Sequence, residues 1–239
     1  MSDQLTPEQL KDRAVRFYAR YGDDLNQIKN LLDIHLSQLA YAYTIQQKLP
    51  REALTVKARV KTLDSFLKKL ERKGWPQFYY PTEVAGDLVA ARVVCWFVDD
   101  CTGFLELLRS SPSLRVAHQI EDYIAEPKAS GYRSIHLFAD VKYDGVRQEN
   151  GKANVTSDQL KCEIQIRTKL QDAWGDVTHE FHYKAKNHGV ENREYEGFLC
   201  DLADRLANED RTLIKFRNAY QRMADEKLVT NKREGFRDD

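Results

Sequence analysis

LVAARVVCWFV, residues 88–98, is apolar at every position except Arg92. A short run with two apolar faces suits a strand covered on both sides. LKCEIQIR, residues 160–167, alternates apolar and polar side chains with the period of a half-covered strand. Leu54–Val60, Leu114–Ile120 and Ser134–Tyr143 also read as strands. Asp144–Ser157 is polar and contains glycine, which predicts an exposed hairpin loop. Strands therefore gather between residues 54 and 167.

Helical patterns flank them. Residues 6–48 read as two helices, with Leu25, Ile28, Leu32, His35 and Leu39 on one face. Gly22-Asp23-Asp24 supplies the break and the cap between the two, and Pro50 ends the stretch. Residues 62–73, 101–109 and 168–184 also read as helices. A polar break near Asn187–Gly189 precedes a long helix over 192–225, whose stripe runs from Leu199 to Tyr220. That stripe packs on its own core or on another subunit. The tail from Thr230 is charged and predicted loose. The expectation is an α/β (α+β) fold, a mixed sheet flanked by helices. Its organisation is a helical extension at 1–50, a core at 51–186, and a long helix with a tail at 187–239.

The 239 residues carry 37 Lys+Arg and 37 Asp+Glu, a formal net charge of zero. That balance excludes a broadly basic nucleic-acid binder but not a local cationic cleft. No apolar run approaches the length of a membrane span, and MSDQLTPEQLKDR at the start lacks a secretory pattern. Cys95, Cys101, Cys162 and Cys200 form no C-x-x-C pair, and two of them fall in strand runs as core residues. A reducing cytoplasm is the expected compartment.

No Walker A, G-x-G-x-x-G or G-x-S-x-G pattern is present. His179-Glu180-Phe181-His182 spaces its histidines three apart rather than four, so a structural or substrate-contact role outweighs zinc. Asp87 opens the 88–98 strand, either as a turn residue or as a metal ligand. Glu163, Gln165 and Arg167 share one strand face, which faces either solvent or a site. Two carboxylates on neighbouring strands would suit Mg²⁺, which takes one or two carboxylates plus substrate phosphates. Lys128, Tyr132, Arg133 and His136 place a ring beside cations, as a nucleotide requires, or form a solvated turn. Arg59, Lys61, Ser65 and Lys69 form a second basic set, the last three spaced four apart as on one helical face.

Four strings in order, ARVKTLDSFLKK, GDLVAARVVCWFVDD, EPKASGYRSIH and CEIQIRTKLQDAWGDVTHEFHYK, resemble the synthetase domain of the RelA/SpoT family. GYRSIH and EIQIRT are the most specific, and the resemblance covers residues 55–185. It implies a nucleotidyltransferase-like fold. It also implies transfer of the β,γ-pyrophosphate of ATP to the 3′-hydroxyl of GDP or GTP with Mg²⁺, giving ppGpp or pppGpp in stringent-response signalling. Carried over by residue, Asp87 and Glu163 match the acidic metal and catalytic positions. Arg59, Lys61, Ser65 and Lys69 match the ATP segment, with Arg92 beside them. Lys128, Tyr132 and His136 match acceptor contacts, Tyr132 by stacking on guanine, and Gln165 and Arg167 of EIQIRT are placed with them as acceptor-binding residues. Relatives often form homotetramers, which the resemblance implies here.

Two positions depart from the family pattern. Ala90 stands where D-[IL]-A-G-x-R carries glycine, and Thr178 precedes His179 where small members often have Glu. Nothing in the chain resembles the hydrolase domain or regulatory tail of the long members. Two alternatives stay open. One is a toxin-type pyrophosphokinase acting on tRNA 3′ ends or adenine nucleotides and countered by an antitoxin; the other is a catalytically silent nucleotide binder.

Overall fold

The computed structural model describes residues 4–187 and 193–234. Helix α1 (Pro7–Gln46) leads through a short 3₁₀ turn to strand β1 (Leu54–Val60) and helix α2 (Leu63–Arg72). Strand β2 (Val89–Cys95), helix α3 (Val98–Ser110) and strand β3 (Arg115–Asp122) follow. Strands β4 (Ile135–Glu149) and β5 (Lys152–Thr168) form a hairpin, and helices α4 (Lys169–Asn187) and α5 (Arg193–Glu234) close the chain. The five strands lie in the order β1-β2-β5-β4-β3, with β2 and β5 parallel and every other neighbour antiparallel. This is the expected mixed sheet flanked by helices. No helix among the described residues is long and apolar enough to cross a membrane.

Strand parity divides the sheet into a core face and a working face. Val89, Ala91, Val93 and Cys95 of β2, Cys162, Ile164 and Ile166 of β5, and Ile135, Leu137, Ala139 and Val141 of β4 are all buried in one apolar cluster. Helices α1, α2 and α3 contribute Leu25, Ile28, Leu32, Phe66, Leu70, Phe104 and Leu108 to that cluster. Burying side chains of this size contributes about 1.5–3 kcal/mol each. The alternate residues, Arg92, Glu163, Gln165 and His136, are only partly buried and face the other way.

Three expectations are corrected. Residues 7–46 form one 40-residue helix, not two. A mid-helix glycine costs only about 1 kcal/mol, and burial from Leu10 to Tyr43 along the same helix outweighs it. Thr6 and Gln9 complete a capping box at its start. The segment 144–157 is not a loop: β4 and β5 pair continuously from Ile135↔Ile166 to Glu149↔Lys152. Asn150 (φ 51°) and Gly151 (φ 76°) make the two-residue turn, which needs left-handed backbone at both positions. This polar arm is tied to α1 by the Arg147–Asp24 ion pair and by Arg147 lying 5.0 Å from the Tyr21 ring. Finally, α5 is helical to Glu234, so the tail predicted loose from Thr230 is helical over 230–234. Most of the predicted break at 187–189 lies outside the described residues.

Candidate functional site

The working face is built by register. Arg59 of β1 lies opposite Ala90, Ala90 beside Glu163, and Glu163 opposite Phe138. One step along, Arg92 lies beside Gln165 and Gln165 opposite His136. Neighbours in register point to the same side of a sheet. Two sequence-distant motifs thus form one row.

Two carboxylates anchor it. Asp87 precedes β2 and accepts from Lys69 Nζ at 2.7 Å and Lys61 Nζ at 2.9 Å. Burial pushes its carboxyl up, but the hydrogen bonds and charges of the two lysines outweigh this and hold it below the ordinary carboxylate range. Glu163 Oε1 lies 3.1 Å from His136 Nδ1. Burial again opposes ionisation, and the bonds from His136 and Gln165 prevail, while the nearby Asp87 charge works against them. The second nitrogen of His136, Nε2, is 2.7 Å from the Tyr132 hydroxyl. With Nδ1 donating to Glu163, Nε2 accepts from Tyr132, giving a continuous Tyr132–His136–Glu163 chain.

Beside these groups opens a cleft of about 580 Å³, lined among others by Arg59, Arg92, Lys128, Tyr132, Gln165 and Arg167. Lys128 Nζ lies 4.1 Å from the Tyr123 ring and 5.5 Å from the Tyr132 ring. Tyr132 also meets Trp174 at 6.4 Å between centroids, and Trp174 is fixed by its indole N–H donating to the Leu199 carbonyl at 3.0 Å. Arg92 and Arg167 converge on Asp172 Oδ1, at 2.8 and 2.7 Å, with Asp176 3.0 Å from Arg92. Burial and the neighbouring Arg92 charge lower the affinity of Arg167 for its proton.

Of the sequence-predicted residues, Arg59, Arg92, Lys128, Tyr132, His136, Gln165 and Arg167 line the cleft together. Lys61 and Lys69 converge on Asp87 instead. Lys61 lies before α2 rather than on it, because Thr62 caps that helix, so the expected shared helical face is absent. Ser65 sits in the first turn of α2, where its hydroxyl accepts from Thr62 and its N–H bonds Thr62 Oγ1. It is absent from the cleft lining. Sequence reasoning missed Tyr123, Trp174, Asp172 and Asp176. Asp172 and Asp176 are four apart on α4, a spacing that could have flagged a paired acidic face. The side chains of His179, Glu180 and His182 lie outside the described residues. Among the described residues no three His, Cys, Asp or Glu side chains converge as a metal site.

A family model described as "Region found in RelA / SpoT proteins" matches residues 58–188. The chain is 34% identical over 134 residues to the GTP pyrophosphokinase YwaC of Bacillus subtilis, covering 55% of this chain and 59% of the relative. It is 38% identical over 129 residues to YjbM of the same organism, covering 54% and 56%. The matches thus span little more than half the length of these curated relatives. The fold is similar to that of a GTP pyrophosphokinase family protein from Streptococcus pneumoniae, with a TM-score of 0.68, 27% identity, and coverage of 87% and 94%. It is equally similar to small alarmone synthetase 1 of Bacillus subtilis bound to its product pppGpp, with a TM-score of 0.68, 27% identity, and coverage of 86% and 97%. The motifs predicted to mark a synthetase lie on one face of this shared fold, within the matched segment, and the chain belongs to the RelA/SpoT family.

Proposed function

We propose that the chain is a (p)ppGpp synthetase, moving the pyrophosphate of ATP to the 3′-hydroxyl of GDP or GTP. The observation that carries this reading is the Tyr132–His136–Glu163 chain ending at an ionised carboxylate, beside a cleft of cations and rings. The acceptor base stacks against Tyr132, with Tyr123 and Trp174 behind it, and Lys128 holds its phosphates. Arg59, Arg92 and Arg167 take the phosphate chain of ATP. Their role is charge stabilisation and alignment, which phosphoryl-type transfer requires more than covalent chemistry.

His136 holds one oxygen of Glu163, which leaves the other to accept the 3′-hydroxyl proton. The 3′-oxygen forms its bond to the β-phosphorus as the bond from that phosphorus to the bridging oxygen breaks, and AMP departs with that oxygen. Asp87, held ionised, fits Mg²⁺, whose usual set is one or two carboxylates completed by substrate phosphates, and Glu163 can join it only when its free oxygen is not taking the proton. Bound there, Mg²⁺ would neutralise charge on the phosphate oxygens.

The test is label transfer from [γ-³²P]ATP to GDP, GTP, GMP, ATP or deacylated tRNA, each offered separately. Label on GDP or GTP that is lost in Glu163→Gln and Asp87→Ala supports the proposal. Label on tRNA or an adenine nucleotide alone replaces it with the toxin-type reading, and normal turnover in either variant overturns the site.

A further inference from the structure

A second concave site lies on the opposite side of the sheet from the working face, where α1 packs. Gln9, Arg13, Arg16, Phe17, Arg20 and Tyr21 repeat at helical spacing along one face of α1. With Tyr79 and Tyr80 they wall a groove of about 420 Å³. That volume falls within the roughly 300–1,000 Å³ of small-ligand sites. Asp12 is the one carboxylate in its wall, against three guanidiniums. In a chain of zero net charge, this is a local positive field.

Arg13 has an acid near it, Glu83, though not at ion-pair distance. Arg13 donates to the Phe78 carbonyl at 2.8 Å and lies 5.1 Å from the Tyr79 ring centre. Arg20 lies 5.4 Å from the Tyr21 ring. Neither Arg16 nor Arg20 has a carboxylate at ion-pair distance among the described residues. This contrasts with Arg92, Arg133, Arg147, Arg167 and Arg217, each of which does. Tyr79 is 65% exposed and Tyr80 43% exposed. Large rings left in water beside free guanidiniums suit a ligand with both a flat ring and several negative charges.

We propose that this groove binds a nucleoside polyphosphate, its base against Tyr79 and Tyr80 and its phosphates on Arg16 and Arg20. An acidic peptide would satisfy the arginines and leave the tyrosine rings uncovered. The groove is separate from the catalytic cleft, and its existence does not depend on the reaction assigned there.

The experiment is equilibrium dialysis of the full chain with radiolabelled GTP, without ATP, using tripolyphosphate and guanosine as competitors. Wild type should bind GTP in two classes of site. Arg16→Glu with Arg20→Glu should lose one class, with affinity falling on the order of tenfold or more, since a charged hydrogen bond of this kind is worth about a factor of ten. Tyr132→Ala should weaken the other class and spare the groove. Circular dichroism must show both variants folded, and Tyr79→Ala with Tyr80→Ala supplies a test that leaves every charge in place. Tripolyphosphate should displace GTP from the groove only weakly. Undiminished stoichiometry in the arginine variant would overturn the proposal. So would equal affinity for tripolyphosphate and GTP, or a ten-nucleotide single strand binding the groove more tightly than GTP. Absence of pyrophosphate transfer would sink the functional reading and leave this binding result untouched.

Discussion

Asp210 gives a prediction whose size follows from its surroundings. It lies on α5 with 1% of its surface exposed. Its Oδ2 accepts from Thr168 Oγ1 at 2.8 Å and Gln171 Nε2 at 3.3 Å. Its Oδ1 is buried with no hydrogen-bond partner among the described residues. Burial pushes the carboxyl up from 3.8 to about 6, against the opposing pull of Thr168, Arg133 and Gln171. The folded chain therefore holds this proton more tightly than the unfolded chain. As pH rises from about 4 to about 6 the unfolded chain ionises first, and stability falls. Above about 6 both forms are ionised and the loss is complete.

At about 1.36 kcal/mol per pH unit, the full loss is about 3 kcal/mol. Asp210→Asn removes the ionisation while keeping an oxygen for Thr168 and Gln171. Its amide is left without an acceptor, which costs about 1–3 kcal/mol, so the net gain at pH 7.5 is small. The change with pH is free of that constant. Between pH 4.5 and 7.5 the stability of Asp210→Asn should rise relative to wild type by about 2 kcal/mol. For a chain of this size that widens the Tm difference by about 4–8 °C. Thermal melts by circular dichroism at constant ionic strength measure it. Parallel Tm curves for the two proteins across that range would refute the reasoning, because Asp210 would then ionise as it does in water.

Three further outcomes follow from the contacts. His136→Ala removes the donor that lowers the Glu163 carboxyl, so the acidic limb of the pH–rate profile should move to higher pH; an unmoved limb would count against Glu163 as the base. In Gly175→Ala, the new Cβ would lie 2.6 Å from a terminal nitrogen of Arg167, whose side chain is held by Asp172. The nucleotide KM should rise about tenfold with Tm little changed, as expected for one lost charged contact; an unchanged KM removes Arg167 from the phosphate contacts. Arg147→Ala leaves Asp24, 7% exposed, without its partner. It should lower stability by about 1–3 kcal/mol, partly restored by adding Asp24→Asn; no restoration in the double variant would mean the pair does not hold the hairpin arm.

The half of the site carried by alternating strands was legible in the sequence. Glu163, Gln165 and Arg167 had to share a face once LKCEIQIR was extended, and Arg92 was the polar exception within β2. Features resting on contacts between distant residues were not legible. Gly22 looked like a break because the burial on both sides of it, from Leu10 to Tyr43, exists only once α1 lies across the sheet. The outer hairpin looked like a loop because most of its side chains are polar and exposed, and the restraint from Asp24 lies 123 residues away in sequence. Lys61 was assigned to a helix by spacing alone, although Thr62 is the residue type that ends such a run by capping. Tyr123 lies outside the four family strings and Trp174 lies in one without a role read from it; they enter the site because the end of β3 and α4 bring their ring centres to 6.2 and 6.4 Å from that of Tyr132.

The zero net charge and the cationic cleft are two aspects of one arrangement. Lys61 and Lys69 share the one carboxylate of Asp87, and Arg92 and Arg167 are neutralised by Asp172 and Asp176. Unpaired, two guanidiniums meeting at one point would repel, and Arg167, nearly buried, would be costly to keep charged. The carboxylates thus stabilise the empty cleft and hold its arginines pointing inward. Arg59 and Lys128 are in no ion pair among the described residues and meet a phosphate chain directly, but at Arg92 and Arg167 the incoming chain exchanges one anion for another. Its net gain there is the difference between two ion-pair sets, far smaller than the sum of its contacts. Arg16 and Arg20, with no acid at ion-pair distance among the described residues, lack such a competing partner, and a phosphate on them should accordingly be held more tightly than one on Arg92 or Arg167.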